Sequence, residues 1–315
     1  KKTLIKCILP DKLERIESGA FSGTSLTGTV QLPEGLKYVA GFGNTKITNI
    51  LFPSTLEEIG KESNAPWGAF YGCNSLMCEI SLPASLKKIG EGAFNGSSIK
   101  GNLALPEGLE YIGTSAFSGC SGLTGSLTIP NGIKTIYNSS FSSCGFTGNL
   151  TLPMGLTEIQ SGAFYCTKFK GELNIPSTVT VIGDGAFSGN EFNGTLILHK
   201  ELISLGSSAF GGCWRLSGVV EIPENIVSIP SSLFSGCSGI EGIVLHKDVE
   251  VIESGAFNNC YYVSSIVCKA KNPPTINSSA FSGVAKDNFT LEVPEDAVKK
   301  YQFASGWSEF KRIEA

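Results

Sequence analysis

The residues of this 315-residue chain best equipped for chemistry are its ten cysteines, and their spacing is regular. Cys73, Cys120, Cys144, Cys213, Cys237 and Cys260 each stand three residues after a phenylalanine, and Cys166 stands two after its own. A nucleophilic thiol needs a base beside it. The two histidines, His199 and His246, fall at no matching position, so catalysis by these thiols is not expected. No C-x-x-C occurs, which removes the zinc-knuckle and dithiol redox readings. Neighbouring rungs such as Cys120 and Cys144 would lie close, but parallel side chains make poor disulfide geometry. The column reads as small buried structural thiols, at a site that Thr24, Ser97 and Asn190 take elsewhere.

Other chemistry is as thinly supplied. None of the five aspartates (Asp11, Asp184, Asp248, Asp287 and Asp296) has an acid partner at a matching position, and no nucleophile elbow, phosphate loop or H-E-x-x-H is present. His199 and His246 stand where proline usually ends a strand, with Cα atoms expected roughly 10 Å apart. Without a third ligand they read as exposed strand-end residues. Net charge is −4, and the only arginines are Arg15, Arg215 and Arg312, so the clustered basic footprint of a nucleic-acid binder is missing. No apolar run approaches the ~18 residues of a membrane span. The expectation is a non-enzyme with no metal or cofactor, no nucleic-acid partner and no membrane span in this chain.

The elements that carry these residues repeat. Gly-Ala-Phe recurs at Phe21, Phe70, Phe94, Phe164, Phe187 and Phe257, and looser copies end at Phe117, Phe141, Phe210, Phe234 and Phe281. From Phe70 onward every interval is 23 or 24 residues, and Phe42 fits as a degenerate copy, making twelve units. Most read L-x-G-x-L-x-[LI]-P-x-x-[LIV]-x-x-I-x-x-x-A-F-x-G-C. Alternation at Leu127 and Ile129 argues for a strand, and Pro130 ends its ladder because proline has no N–H to donate. Ile133, Ile136 and the Ala-Phe pair point inward, and Gly119 or its equivalent lets the backbone turn. One such unit cannot bury its own apolar face, whereas stacked units bury a continuous one behind a parallel sheet. The apolar fraction of 41% suffices for that core, and the charged fraction of 17% is too low for disorder.

The segments LPEGLEYIGTSAFSGCSGL (Leu105 to Leu123) and IPENIVSIPSSLFSGCSGI (Ile222 to Ile240) resemble the BspA-type leucine-rich repeat, also called the TpLRR class. The resemblance covers residues 4 to about 285. CKAKNPPTI (Cys268 to Ile276), LEVPEDAVKKY (Leu291 to Tyr301) and GWSEFKRI (Gly306 to Ile313) resemble the C-terminal cap of such proteins from Bacteroidales. The resemblance implies a right-handed leucine-rich-repeat solenoid with a parallel sheet on one face and little helix. It also implies a secreted or cell-surface protein that binds host proteins or other cells. The expected layout is repeats over residues 1–285 and a cap over 286–315, with a short helix at 294–304 and Tyr301, Trp307, Phe310 and Ile313 closing the last coil. The chain opens Lys1-Lys2-Thr3 without Met or signal peptide, so it reads as a processed or cloned fragment.

Departures from the repeat point to function. Six extra residues, 61–66, precede Trp67, and an insertion on a rigid scaffold is a candidate binding loop. The second unit is short, with 20 residues from Pro33 to Pro53, and a local kink is expected there. On the return side Glu14, Lys37, Glu57, Lys87, Glu110 and Lys134 alternate in sign, which reads as a stacking-register device; the column then turns neutral at Thr157, Thr180, Ile203 and Val227. The outward strand columns are small, uncharged and short of aromatic rings, except for the apolar residues Ile197, Val219, Val244 and Val267. An exposed apolar stretch with a polar rim suggests a protein contact. Ile197, Val219, Val244, Val267 and Trp67 are therefore the candidate protein-binding residues of an adhesion module. The alternative is a spacer that presents another domain.

Overall fold

The structure, a computed structural model, describes residues 7–60 and 68–315. It comprises two compact units that meet in sequence at Phe169 and Lys170, each a stack of coils.

In the first unit Thr27–Gln31 pairs in parallel with Lys46–Leu51, Lys100–Asn102 with Gly122–Thr124, and Leu127–Thr128 with Leu150–Thr151. Leu127 and Ile129 face the core, as period-two alternation requires. The Pro130 carbonyl then accepts the Ile133 amide at 3.1 Å, and Pro33, Pro106 and Pro153 head the same turn. The chain returns through a second parallel run of two-residue strands, Arg15–Ile16, Tyr38–Val39, Glu58–Ile59, Lys88–Ile89 and Tyr111–Ile112. Sequence reading expects strands on one face; the return side adds these because its buried amides also need partners, and the neighbouring coil supplies them. Of the alternating charges, Lys37 meets Glu57 at 3.5 Å and Lys87 meets Glu110 at 3.9 Å. Both pairs are half exposed, so they set register more than they stabilise.

The phenylalanines form the axis of the core. Phe42, Phe70, Phe94, Phe117, Phe141 and Phe164 stack at centroid distances of 5.2–5.6 Å with nearly parallel planes. Their amides bond from coil to coil, as in Phe94 N to Ala116 O at 2.7 Å. The degenerate Phe42 keeps its place and is fully buried. Its ring tilts 19° against Phe21, against 4–13° for the pairs from Phe42 to Phe164.

In the second unit the strand order follows the chain: Gly194–Thr195, Leu216–Glu221, Ile240–Leu245, Ser265–Cys268, Thr290–Glu292 and Arg312–Glu314, all parallel. Phe187, Phe210, Phe234, Phe257 and Phe281 form a stacked column within this unit, and Trp307 and Phe310 follow Phe281 at 5.9 and 5.8 Å. The expected short helix forms as a 3-10 turn, Glu295–Ala297, running into Val298–Phe303. Tyr301 and Trp307 are fully buried. Trp307 Nε1 donates to Pro274 O at 2.7 Å and Tyr301 Oη donates to Ala270 O at 2.8 Å. The tyrosine hydroxyl has one proton, so the Cys268 thiol, 3.0 Å away, is the donor to Tyr301 Oη.

Candidate binding surfaces of the repeats

The thiol column is structural, and it works differently from its replacements. Thr24, Thr167 and Asn190 bond the phenylalanine carbonyl of their own coil at 2.7, 3.0 and 2.8 Å. The thiols reach further, to the phenylalanine carbonyl of the preceding coil: Cys120 to Phe94 O and Cys144 to Phe117 O at 3.1 Å, and Cys237 to Phe210 O at 3.0 Å. That carbonyl already accepts a turn amide, as in Cys213 N to Phe210 O at 3.1 Å, so both lone pairs are used. Each such cysteine thereby ties one coil to the one before. Burial pushes the Cys120, Cys213 and Cys260 thiols up to about 12. It drives Cys144 and Cys237 well above the ordinary range, with neighbouring thiols adding to the effect. All ten cysteines are free. Cys166 leaves the column: it is exposed, and Thr167 fills the buried site.

The histidines are not the exposed strand-end residues that the sequence suggests. His246 is buried; its Nδ1 accepts the Asp248 amide at 3.2 Å, so Nε2 carries the proton and donates to Ile226 O at 3.0 Å. The His199 side chain is 12% exposed and both ring nitrogens are buried without a hydrogen bond; Glu201 stands 3.6 Å from Nδ1. Both residues head the turn that proline heads elsewhere, with Leu202 N bonding His199 O and Val249 N bonding His246 O. Among the described residues no three His, Cys, Asp or Glu side chains converge on a metal position.

On the strand face of the second unit, register pairs Val244 directly with Val267, and both are half-buried. Val219 is 41% exposed and its side chain lies over Gly242, two residues before Val244 on the same face. These three form one cluster. Ile197 is 72% exposed and lies two residues beyond Gly194–Thr195, outside the paired register, while Glu221 flanks Val244 on that side. Trp67 and the 61–66 insertion lie outside the described residues. The return side adds two exposed apolar residues in neighbouring coils, Ile203 and Val227.

A further surface escaped sequence reading. The turn that follows each ladder position and leads into the strand carries Trp214, Tyr261 and Tyr262, which are 49%, 57% and 71% exposed. The Arg215 guanidinium lies 4.6 Å from the Trp214 ring and 4.0 Å from the Glu191 carboxylate. The signal was present in the residues just after Cys213 and Cys260, but a column reading anchored on strand positions passes over them.

Among solved structures the chain is similar to a leucine-rich repeat protein from Bacteroides ovatus, with 26% identity over 92% of this chain and 84% of that one and a TM-score of 0.67. It also matches a leucine rich cell surface protein from Faecalibacterium prausnitzii, with 19% identity over 91% and 90% of the two chains and a TM-score of 0.44. A third match is the pneumococcal vaccine antigen PcpA, with 20% identity over 89% and 70% and a TM-score of 0.46. No curated protein matches the sequence. The family model for the BspA type leucine rich repeat region matches six copies, over residues 1–66, 63–193 and 192–306. Leucine-rich repeats are in general protein-interaction modules without catalysis of their own. The strand-proline-turn coils, the phenylalanine axis and this match, which spans nearly the whole chain, place the protein in one family: it belongs to the BspA-type leucine-rich repeats.

Proposed function

We propose that the chain is a secreted or cell-surface adhesion module, non-catalytic, which holds an extracellular or cell-surface protein partner against the strand face of its repeats. The observation that carries this reading is the apolar cluster of Val219, Val244 and Val267, with Ile197 nearby, rimmed on the same face by the polar residues Thr195, Glu221 and Ser265. Backbone ladders hold these side chains in place, so little ordering entropy opposes docking. Residues 1–285 serve as the repeat array and 286–315 as its cap, and Trp67 with the 61–66 insertion offers a second contact. The test is capture from mucus, serum and matrix extracts on the immobilised protein, read by mass spectrometry against an unrelated solenoid. A partner that competes off with free protein and binds Val244→Glu at least about tenfold more weakly supports the reading. Background-level capture, or a partner indifferent to Val244→Glu and to deletion of 61–66, refutes binding through these surfaces and favours a spacer.

A further inference from the structure

The turn edge of the second unit presents aromatic rings in a built setting, separate from the strand-face cluster. Its coils are locked rung to rung: Gly239 N donates to Trp214 O at 3.2 Å and Tyr262 N donates to Ser238 O at 3.2 Å. Trp214 and the tyrosine pair therefore stand two coils apart, roughly 10 Å by strand spacing. The coil between them is held small. A Cβ on Gly239 would lie 2.5 Å from Leu216 O and 3.0 Å from Trp214 O, so that position takes no side chain and only Ser238 and Gly239 stand between Trp214 and the tyrosines along the edge. Tyr261 and Trp214 are preset. The Tyr261 hydroxyl donates to Asn259 Oδ1 at 2.9 Å, and its ring edge lies where a Cβ on Gly283 would stand, 3.1 Å away. The Trp214 ring is braced by Arg215, which Glu191 holds in turn.

We propose that this edge is a glycan-binding site, taking a neutral oligosaccharide across the Ser238–Gly239 turn from Trp214 to Tyr261 and Tyr262. A sugar ring offers a face of polarised C–H bonds and a rim of hydroxyls. The C–H face is attracted to the negative face of an aromatic ring. The rim needs donors and acceptors close to that ring, which the Glu191 carboxylate, the Arg215 guanidinium, the Ser238 hydroxyl and the Asn259 amide supply. Of the charges along the edge, Glu191 faces Lys170 and Arg215 at 3.9 and 4.0 Å and offsets one of the two, so no strong single-sign field selects a charged polymer. The turn positions from Glu191 to Tyr262 hold aromatic, polar or charged side chains and glycine, and none is aliphatic.

The experiment is affinity electrophoresis through gels containing hydroxyethylcellulose, xyloglucan, galactomannan or arabinoxylan, followed by titration with cellohexaose and chitohexaose, read by tryptophan emission. The chain also holds Trp67 and the fully buried Trp307, so loss of the emission change in Trp214→Tyr assigns it to Trp214. Retardation in at least one gel is expected, weakened about tenfold or more by Trp214→Ala and by Tyr262→Ala, kept by Trp214→Tyr, and unchanged by Val244→Glu. All the altered side chains are exposed or half-buried, and unchanged thermal unfolding verifies the fold. No retardation in any gel with no emission change overturns the proposal, as does retardation that survives both alanine variants. Capture of a protein that both alanine variants abolish, with every polysaccharide silent, overturns it as well and reassigns the edge to a protein contact. Val244→Glu tests the strand-face reading alone, so the two can fail separately.

Discussion

The thiol column makes the second unit sensitive to alkali, and the size of the effect follows from burial. An unfolded cysteine ionises near 8.5. In the folded unit Cys213 and Cys260 are pushed up to about 12 and Cys237 well above the ordinary range, by desolvation first. Above about pH 8.5 the unfolded chain releases these protons while the folded one keeps them. The unfolded state then binds fewer protons, so stability falls as pH rises, and it is complete only below the unfolded value. Each thiol contributes about 1.4 kcal/mol per pH unit, and three give a limiting slope of about 4 kcal/mol per unit. Against a typical domain stability of about 5–15 kcal/mol, the unit should unfold within a few pH units of 8.5. Urea titrations followed by circular dichroism at pH 7.5, 8.5 and 9.5, under reductant, measure the slope before tyrosine and lysine titration dominates. A Cys213→Ser, Cys237→Ser, Cys260→Ser variant should be less stable at pH 7.5 and decline clearly less steeply with pH, the remaining slope coming from other buried thiols that are also pushed up, Cys268 in this unit and Cys73, Cys120 and Cys144 in the first. A wild-type urea midpoint that holds steady from pH 7.5 to 9.5, or a triple variant that declines as steeply, would refute the reasoning.

Two further perturbations probe the repeat itself. Phe117 is fully buried between Phe94 and Phe141 at 5.3 and 5.5 Å, so Phe117→Ala should cost about 3–5 kcal/mol of unfolding free energy in urea, and a loss below about 1 kcal/mol would show that the axis collapses around the gap. His199 occupies a proline site with two buried, unbonded ring nitrogens, so His199→Pro should raise stability by about 0.5–1 kcal/mol, whereas His246→Ala should lower it by about 1 kcal/mol through loss of the Ile226 bond; calorimetric melting temperatures that move the same way in both variants would contradict the assignment.

The axis of the fold was legible because its information is periodic in the chain. A phenylalanine every 23 or 24 residues can lie in one line only if each interval closes one coil, and even the degenerate Phe42 falls on that line. What period alone does not encode is reach. The column position accepts Cys, Thr or Asn alike, yet Thr24, Thr167 and Asn190 bond within their coil while Cys120 and Cys237 bond across to the previous one, a difference that side-chain length does not order, since asparagine is the longest of the three. The histidines show the same limit. A residue that replaces proline looks like surface variation, but the turn it heads folds the imidazole of His246 back onto Ile226, a contact 20 residues away in sequence. The binding surfaces divide along this line as well. Strand positions could be sorted into outward columns, which located Val244 beside Val267, but Ile197 fell outside the paired register because its strand stops at Thr195. Turn positions change length between coils: one residue separates Asn190 from Phe192, and two separate Cys213 from Leu216. A column drawn at fixed spacing therefore breaks at the very place where Trp214 and Arg215 enter. In this repeat the regular positions build the scaffold, and Trp214 and Arg215 enter where one coil is a residue longer than the one before it.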